Sequence, residues 1–150
     1  MSASKTAPPA LRLLAEDAED LQIISAALQD AVGQVGDIHY EPGARQLTLV
    51  FNRFLWERQE QKTATGRVRS ALQFGSVMGV KARKLKREPK DAVVELLAVD
   101  FQPAEAPSGT VLLSFAGGAD MAVEVECLDA VLADVSQPWP TRHSPSHELG

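Results

Sequence analysis

His143 and His147 stand four residues apart in "WPTRHSPSHE", the spacing that puts two zinc ligands on one face of a helix. Pro145 lies between them and Pro140 before them, so a helix does not carry that spacing here. No glutamate follows the first histidine, as an H-E-x-x-H zinc site requires, and a third ligand would have to be His39 or a carboxylate from elsewhere. The segment reads instead as an extended strap anchored by Trp139, whose large apolar surface favours docking on the body of the protein. Arg142 could hold a carboxylate or phosphate, and His143 could move a proton near neutral pH, wherever the strap borders a pocket. Trp139, Arg142 and His143 are therefore the ligand-binding candidates of the tail. No metal site is assigned.

The other reactive side chains carry less. Cys127 is the single cysteine, which excludes an internal disulfide and any Cys-based zinc knuckle and suits a reducing compartment. A nucleophilic thiol needs a nearby base, whereas the phase of Cys127 matches the inward-facing Val123 and Val125, so buried filler is the expected role. Glu16, Asp17, Glu19 and Asp20 sit at a helix start, where the dipole accounts for them. Glu124 and Glu126 fall on a solvated strand face. "AGGAD" lacks the strand-to-helix context of a phosphate loop and reads as hairpin glycines. The sequence offers no catalytic residue and calls for no cofactor.

Charge is the stronger signal. The chain carries a net −5, yet residues 61–90 hold nine basic residues against Glu88 alone, a net +8 facing −13 in the remainder. Arg67, Arg69, Lys81, Arg83 and Lys84 form the candidate basic surface, followed by the "KLKREPK" tip. Cations spaced along a sheet suit an acidic protein or a phosphate-bearing ligand. The bland alternative is an edge strand protected by charge against aggregation. The acidic remainder argues against a long nucleic acid. It would also allow self-association, basic patch on acidic face, so the oligomeric state stays open.

The elements that must position these groups follow from periodicity. Hydrophobic residues at 45% and charged residues at 23% are ordinary globular values, so a packed core is expected. No apolar run is long enough for a signal peptide or a membrane span, so membrane insertion is not expected. Residues 11–14 suit a short strand. Asp17 offers an N-cap, and Leu21, Ile24, Leu28, Ala31 and Val35 make one helical stripe, with Gly33 and Gly36 as its stop. The period then changes to two. Ile38 and Tyr40 lead through "EPGAR" to Leu47, Leu49 and Phe51, and the shift to Phe54 and Trp56 predicts a bulge or a strand end near Asn52–Arg53.

A long strand follows, with Val68, Leu72, Phe74, Met78 and Val80 inward, the basic set outward, and Gly75 and Gly79 as bends. "AVVELLAVDF" is apolar on both faces and suits a central strand. Val111, Leu113 and Phe115 pair with Met121, Val123 and Val125 in a hairpin. Leu128, Val131, Leu132 and Val135 have helical spacing and predict a short C-terminal helix, which Pro138 and Pro140 end. The fold class is α+β: a curled, mostly antiparallel sheet or half-barrel, pleckstrin-homology-like, with an N-terminal helix and a short C-terminal helix. Residues 1–10 read as a flexible leader, 11–136 as one globular domain and 137–150 as the tail.

From "ALQDAVGQVGD" through "NRFLWE" to the tail, residues 11–148 resemble the domain-of-unknown-function family 2948 of alphaproteobacteria. The resemblance implies a bacterial, cytoplasmic, stand-alone protein of one domain. It implies no activity and no functional residues. The residues themselves favour a non-enzymatic binding or adaptor module that turns its basic surface to an acidic partner. The alternative is a small-molecule binder or enzyme with a cleft beside the tail.

Overall fold

Asp17 has extended backbone, and its Oδ1 accepts the Asp20 N–H, which starts helix α1 (Ala18–Ala27) with Glu19 and Asp20 in its first turn. The structure is a computed structural model that describes residues 10–56 and 64–140. Among these residues nine strands form one continuous hydrogen-bonded sheet, one before the helix and eight after it: β1 (Arg12–Ala15), β2 (Val32–Glu41), β3 (Gln46–Trp56), β4 (Ala64–Phe74), β5 (Val77–Arg83), β6 (Val93–Pro103), β7 (Gly109–Phe115), β8 (Asp120–Val125) and β9 (Ala130–Asp134). The sheet order is β1-β9-β4-β3-β2-β6-β7-β8-β5, and every pairing is antiparallel.

The sheet curls because β4 and β5 are six places apart in that order, yet only Gly75 and Ser76 separate them in the chain. The bend is pinned by backbone bonds from Gly75 N–H to Asp129 O (2.9 Å), Val77 N–H to Arg45 O (2.9 Å) and Glu126 N–H to Ser76 O (2.9 Å). Closure is incomplete. Among the described residues β5 pairs only with β8, β1 only with β9, and β2 meets β6 over just Val32–Gln34. The concave face holds the core, including Leu47, Leu49, Phe51, Leu72, Phe74, Val99, Leu113, Phe115, Val123 and Leu132.

Past the short β2–β6 contact, the edge of β6 is taken by the helix. Ser25 Oγ accepts the Val99 N–H (2.9 Å), and Gln22 Nε2 donates to Asp100 Oδ1 (2.8 Å). After the helix, Asp30 N–H donates to Leu96 O and Leu96 N–H to Ala31 O, each at 2.9 Å. Buried backbone groups that would otherwise lack partners are thereby satisfied. Leu21 and Ile24 of the helix and Leu28 at its C-cap belong to the same core.

Five expectations require correction. The helix ends at Ala27, eight residues short of Val35, because residues 30 and 31 bond to β6 and Val32 begins a strand. Gly33 is thus no helix stop. A Cβ there would lie 2.7 Å from Val50 O, and the β2–β3 register slips between Gly33 and Ile38, so the glycine permits close approach at a bulge. The C-terminal helix is replaced by β9, which is hydrogen-bonded on both sides, to β1 and to β4. Neither a bulge nor a strand end occurs at Asn52–Arg53: pairing with β4 is regular from Leu47 to Leu55, and the shift comes at Leu55/Trp56. Met78 is 58% exposed, because a bulge between Val77 and Gly79 turns it outward.

Gly109 marks a second tight approach. A Cβ there would lie 2.6 Å from the Phe101 ring and 2.7 Å from Gln102 O. Gly109→Ala is expected to lower stability by about 1–3 kcal/mol through overpacking, read as a reduced midpoint in urea at unchanged slope.

Candidate functional site

The inward phase of β3 continues past Phe51 to Arg53, a charge where the pattern calls for an apolar side chain. Its Nε lies 3.1 Å from Ser70 Oγ and 3.1 Å from Asp134 Oδ1, and its Nη2 lies 3.0 Å from Asp134 Oδ2. Ser70 Oγ donates to Asp134 Oδ1 (2.7 Å), and Leu11 N–H donates to Asp134 Oδ2 (2.8 Å). Burial pushes the Asp134 carboxyl up, but the hydrogen bonds from Arg53, Leu11 and Ser70 and the charge of Arg53 together hold it below its ordinary value. This network ties β1, β9, β4 and β3 together. Both Asp134 oxygens accept twice from the protein itself, so the pair braces the sheet.

The candidate basic surface divides in two. Arg67 and Arg69 lie on the convex face of β4, while Lys81 and Arg83 lie on β5, beyond the Gly75–Ser76 bend. Most of these cations already have a partner. Arg69 Nη2 is 3.1 Å from Asp37 Oδ2, Lys81 Nζ is 4.0 Å from Glu124 Oε2, and Arg83 Nη2 is 2.5 Å from Asp120 Oδ2. The Asp120 hydrogen bond and charge push the Arg83 guanidinium further up. Arg67 lies over the Phe54 ring at 5.4 Å and over the Trp139 ring at 6.0 Å, within cation–π range.

Trp139 does more than stack. Arg67 N–H donates to Trp139 O (2.7 Å) and Trp139 N–H to Arg67 O (2.8 Å), so the chain after β9 stays against β4. Arg142, His143 and His147 lie outside the described residues. His39 is exposed on β2, opposite Thr48 of β3. Among the described residues no three side chains of His, Cys, Asp or Glu come together as a metal site would need. Cys127 is half-buried with its Sγ 3.6 Å from Ser76 Oγ, a hydroxyl rather than a general base.

The free charge lies elsewhere, on the loop joining β5 to β6. Lys84, Lys86, Arg87 and Lys90 are exposed, and none has a carboxylate among the described residues within ion-pair distance. The loop is fixed at its far end: Gly36 N–H donates to Lys90 O (2.7 Å) and Val35 N–H to Ala92 O (2.9 Å), which occupies the edge of β2 where β6 has turned away. A cleft flanks the loop on each side. One, of about 460 Å³, is lined by Val32, Lys84, Lys86, Val93, Glu95 and Phe115 among others. Burial pushes the Glu95 carboxyl up, and the charge and hydrogen bond of Asp30 push it further. The other, of about 310 Å³, lies between β2 and β5.

This loop is legible in the sequence only as "KLKREPKD", a charged turn, and the apolar lining of the clefts is read as core. The sequence profile of the family described as "Protein of unknown function (DUF2948)" matches residues 11–147. The chain belongs to that family. DUF2948 carries no assigned activity in that description, so the geometry above is what the function must be argued from. No curated protein and no solved structure matches this DUF2948 chain at a significant level. Among its described residues no helix is long and apolar enough to cross a membrane.

Proposed function

We propose that this chain is a non-enzymatic binding module that takes an acidic partner, an acidic protein surface or a phosphate-bearing ligand, on the loop between β5 and β6. What supports the reading is a single contrast. Arg69, Lys81 and Arg83 face carboxylates of their own chain, whereas Lys84, Lys86, Arg87 and Lys90 face none among the described residues. A cation already paired must give up one carboxylate to gain another, while an unpaired one adds its attraction outright. The working surface therefore moves from the strands to the loop: of Arg67, Arg69, Lys81, Arg83 and Lys84 it includes Lys84, and Lys86, Arg87 and Lys90 supply the rest. Arg67 and Arg69 serve the sheet instead.

Heparin, a generic polyanion, tests the reading. The variant K84Q/K86Q/R87Q/K90Q should bind it weakly, with the slope of log K against log salt reduced by roughly 3, about 0.7–0.9 per cation removed. The variant K81Q/R83Q should bind nearly as the wild type does. Equal retention of the loop variant and the wild type on a heparin column would remove the basis for the proposal.

A further inference from the structure

We propose that the open side of the sheet is a binding site for an amphiphilic anion, an alkyl chain carrying a carboxylate or phosphate head group. The inference rests on the reading of the β5–β6 loop as the working face, and it names a ligand class for it. The cleft of about 310 Å³ exists because, among the described residues, β5 and the second half of β2 have no strand between them. Val80 and Ala82 point to the concave side of β5, paired opposite Val123 and Met121, but no strand of the described residues covers them from the β2 side. Ile38, Tyr40 and Leu47 form the opposite wall, and Leu85 closes one end. The volume lies at the lower end of small-ligand sites, enough for a chain of medium length.

The rim decides the ligand's charge. Arg87 and Lys90 line this cleft, and no carboxylate lines it among the described residues. The larger cleft across the loop has Glu95 in its wall, with Asp30 beside it, and does not favour an anion in the same way. The Lys90 backbone is held by the bond from Gly36 N–H, and a Cβ added at Gly36 would lie 3.0 Å from Lys90 O, so the residue is rooted beside the cleft. Arginine offers a planar fork that matches the oxygens of a carboxylate or phosphate, and lysine adds a point charge. An apolar trough with two cations at its mouth thus discriminates by both ends of the ligand. A neutral chain lacks the head-group contact, and a small inorganic anion lacks the apolar one.

Isothermal titration of the full chain with decanoate and with decyl phosphate, both below micellar concentrations, tests this. At least one should bind saturably, with the other arm identifying the preferred head group. Decanol and inorganic phosphate should each bind at least tenfold more weakly than that ligand. R87Q/K90Q should weaken binding by tenfold or more. Ala82→Trp, at an exposed position facing the cleft, should abolish it with an unchanged melting temperature. Binding of decanol as tight as that of the anions, or undiminished binding in either variant, overturns the inference. Failure of both amphiphiles to bind a chain that still retains heparin overturns it alone. Amphiphile binding that R87Q/K90Q removes, in a chain whose heparin binding ignores the loop, keeps it and sinks only the wider reading.

Discussion

Asp134→Ala is expected to cost about 3–5 kcal/mol, because it leaves the Arg53 guanidinium buried beside Ser70 without a counter-charge. The two side chains are only 11% and 6% exposed, so water does little to compensate. For a chain of this size the loss corresponds to a fall of roughly 6–20 °C in melting temperature. Replacing both partners, as Arg53→Met with Asp134→Leu, should recover most of that loss, since no buried charge is then left alone. A melt of Asp134→Ala within about 2 °C of the wild type would mean that the network contributes almost nothing.

The same carboxyl fixes the sign of a pH effect. Its folded value lies below the ordinary 3.8, so folding favours the ionised form. The stability it contributes is present above pH 3.8 and is lost as the pH falls through the lower folded value. Wild type should therefore lose stability relative to the Arg53→Met, Asp134→Leu variant on acidification through that window. Parallel melting curves for the two proteins from neutral to acidic pH would contradict the assignment.

Arg53 also explains why part of the fold was hard to read. Strand alternation treats arginine as outward, so a buried arginine at an inward position looks like a slip of phase, and a bulge is the natural inference. The pairing shows the opposite: phase is kept, and the charge is neutralised by Asp134, eighty-one residues away in sequence. The segment Leu128–Val135 fails for a related reason. Its apolar residues fit a helical period, but Ala130 and Leu132 also alternate, and five residues cannot decide between the two. Pairing on both edges, to β1 and β4, decides it. The hairpin of β7 and β8 was legible because its partners are close in sequence and its glycines, Gly117 and Gly118, have the positive φ that the turn demands.

Charge was legible as a count and not as a pairing. Nine cations in thirty residues stand out in the sequence, but Asp37, Asp120 and Glu124, which neutralise three of them, come from elements that nothing local connects to them. The tip of the run looked like a mere turn, yet no carboxylate of the described residues pairs with its cations, and it spans the unclosed side of the sheet. A surface selected by total charge counts Arg69, Lys81 and Arg83 together with the loop cations, although these three already face carboxylates of their own chain.

Leu28→Ala should show that α1 is what completes the sheet on its other side. Leu28 is fully buried at the end of the helix, and its truncation is expected to cost about 2–5 kcal/mol. The more discriminating measurement is amide exchange. Val99 N–H bonds to Ser25 Oγ and Leu96 N–H to Ala31 O, so both lose their acceptors when the helix segment detaches. Their protection should fall further than that of the β7–β8 ladder, which does not depend on the helix for its bonds. Equal loss at all these sites would mean that the helix and sheet open as one cooperative unit. A selective loss at Leu96 and Val99 would mean that the sheet stands by itself, with its β6 edge covered by a separable element. In that case the two gaps left by incomplete closure differ in kind: the β6 edge is closed by the chain's own helix, and the β2–β5 side is covered by no strand among the described residues.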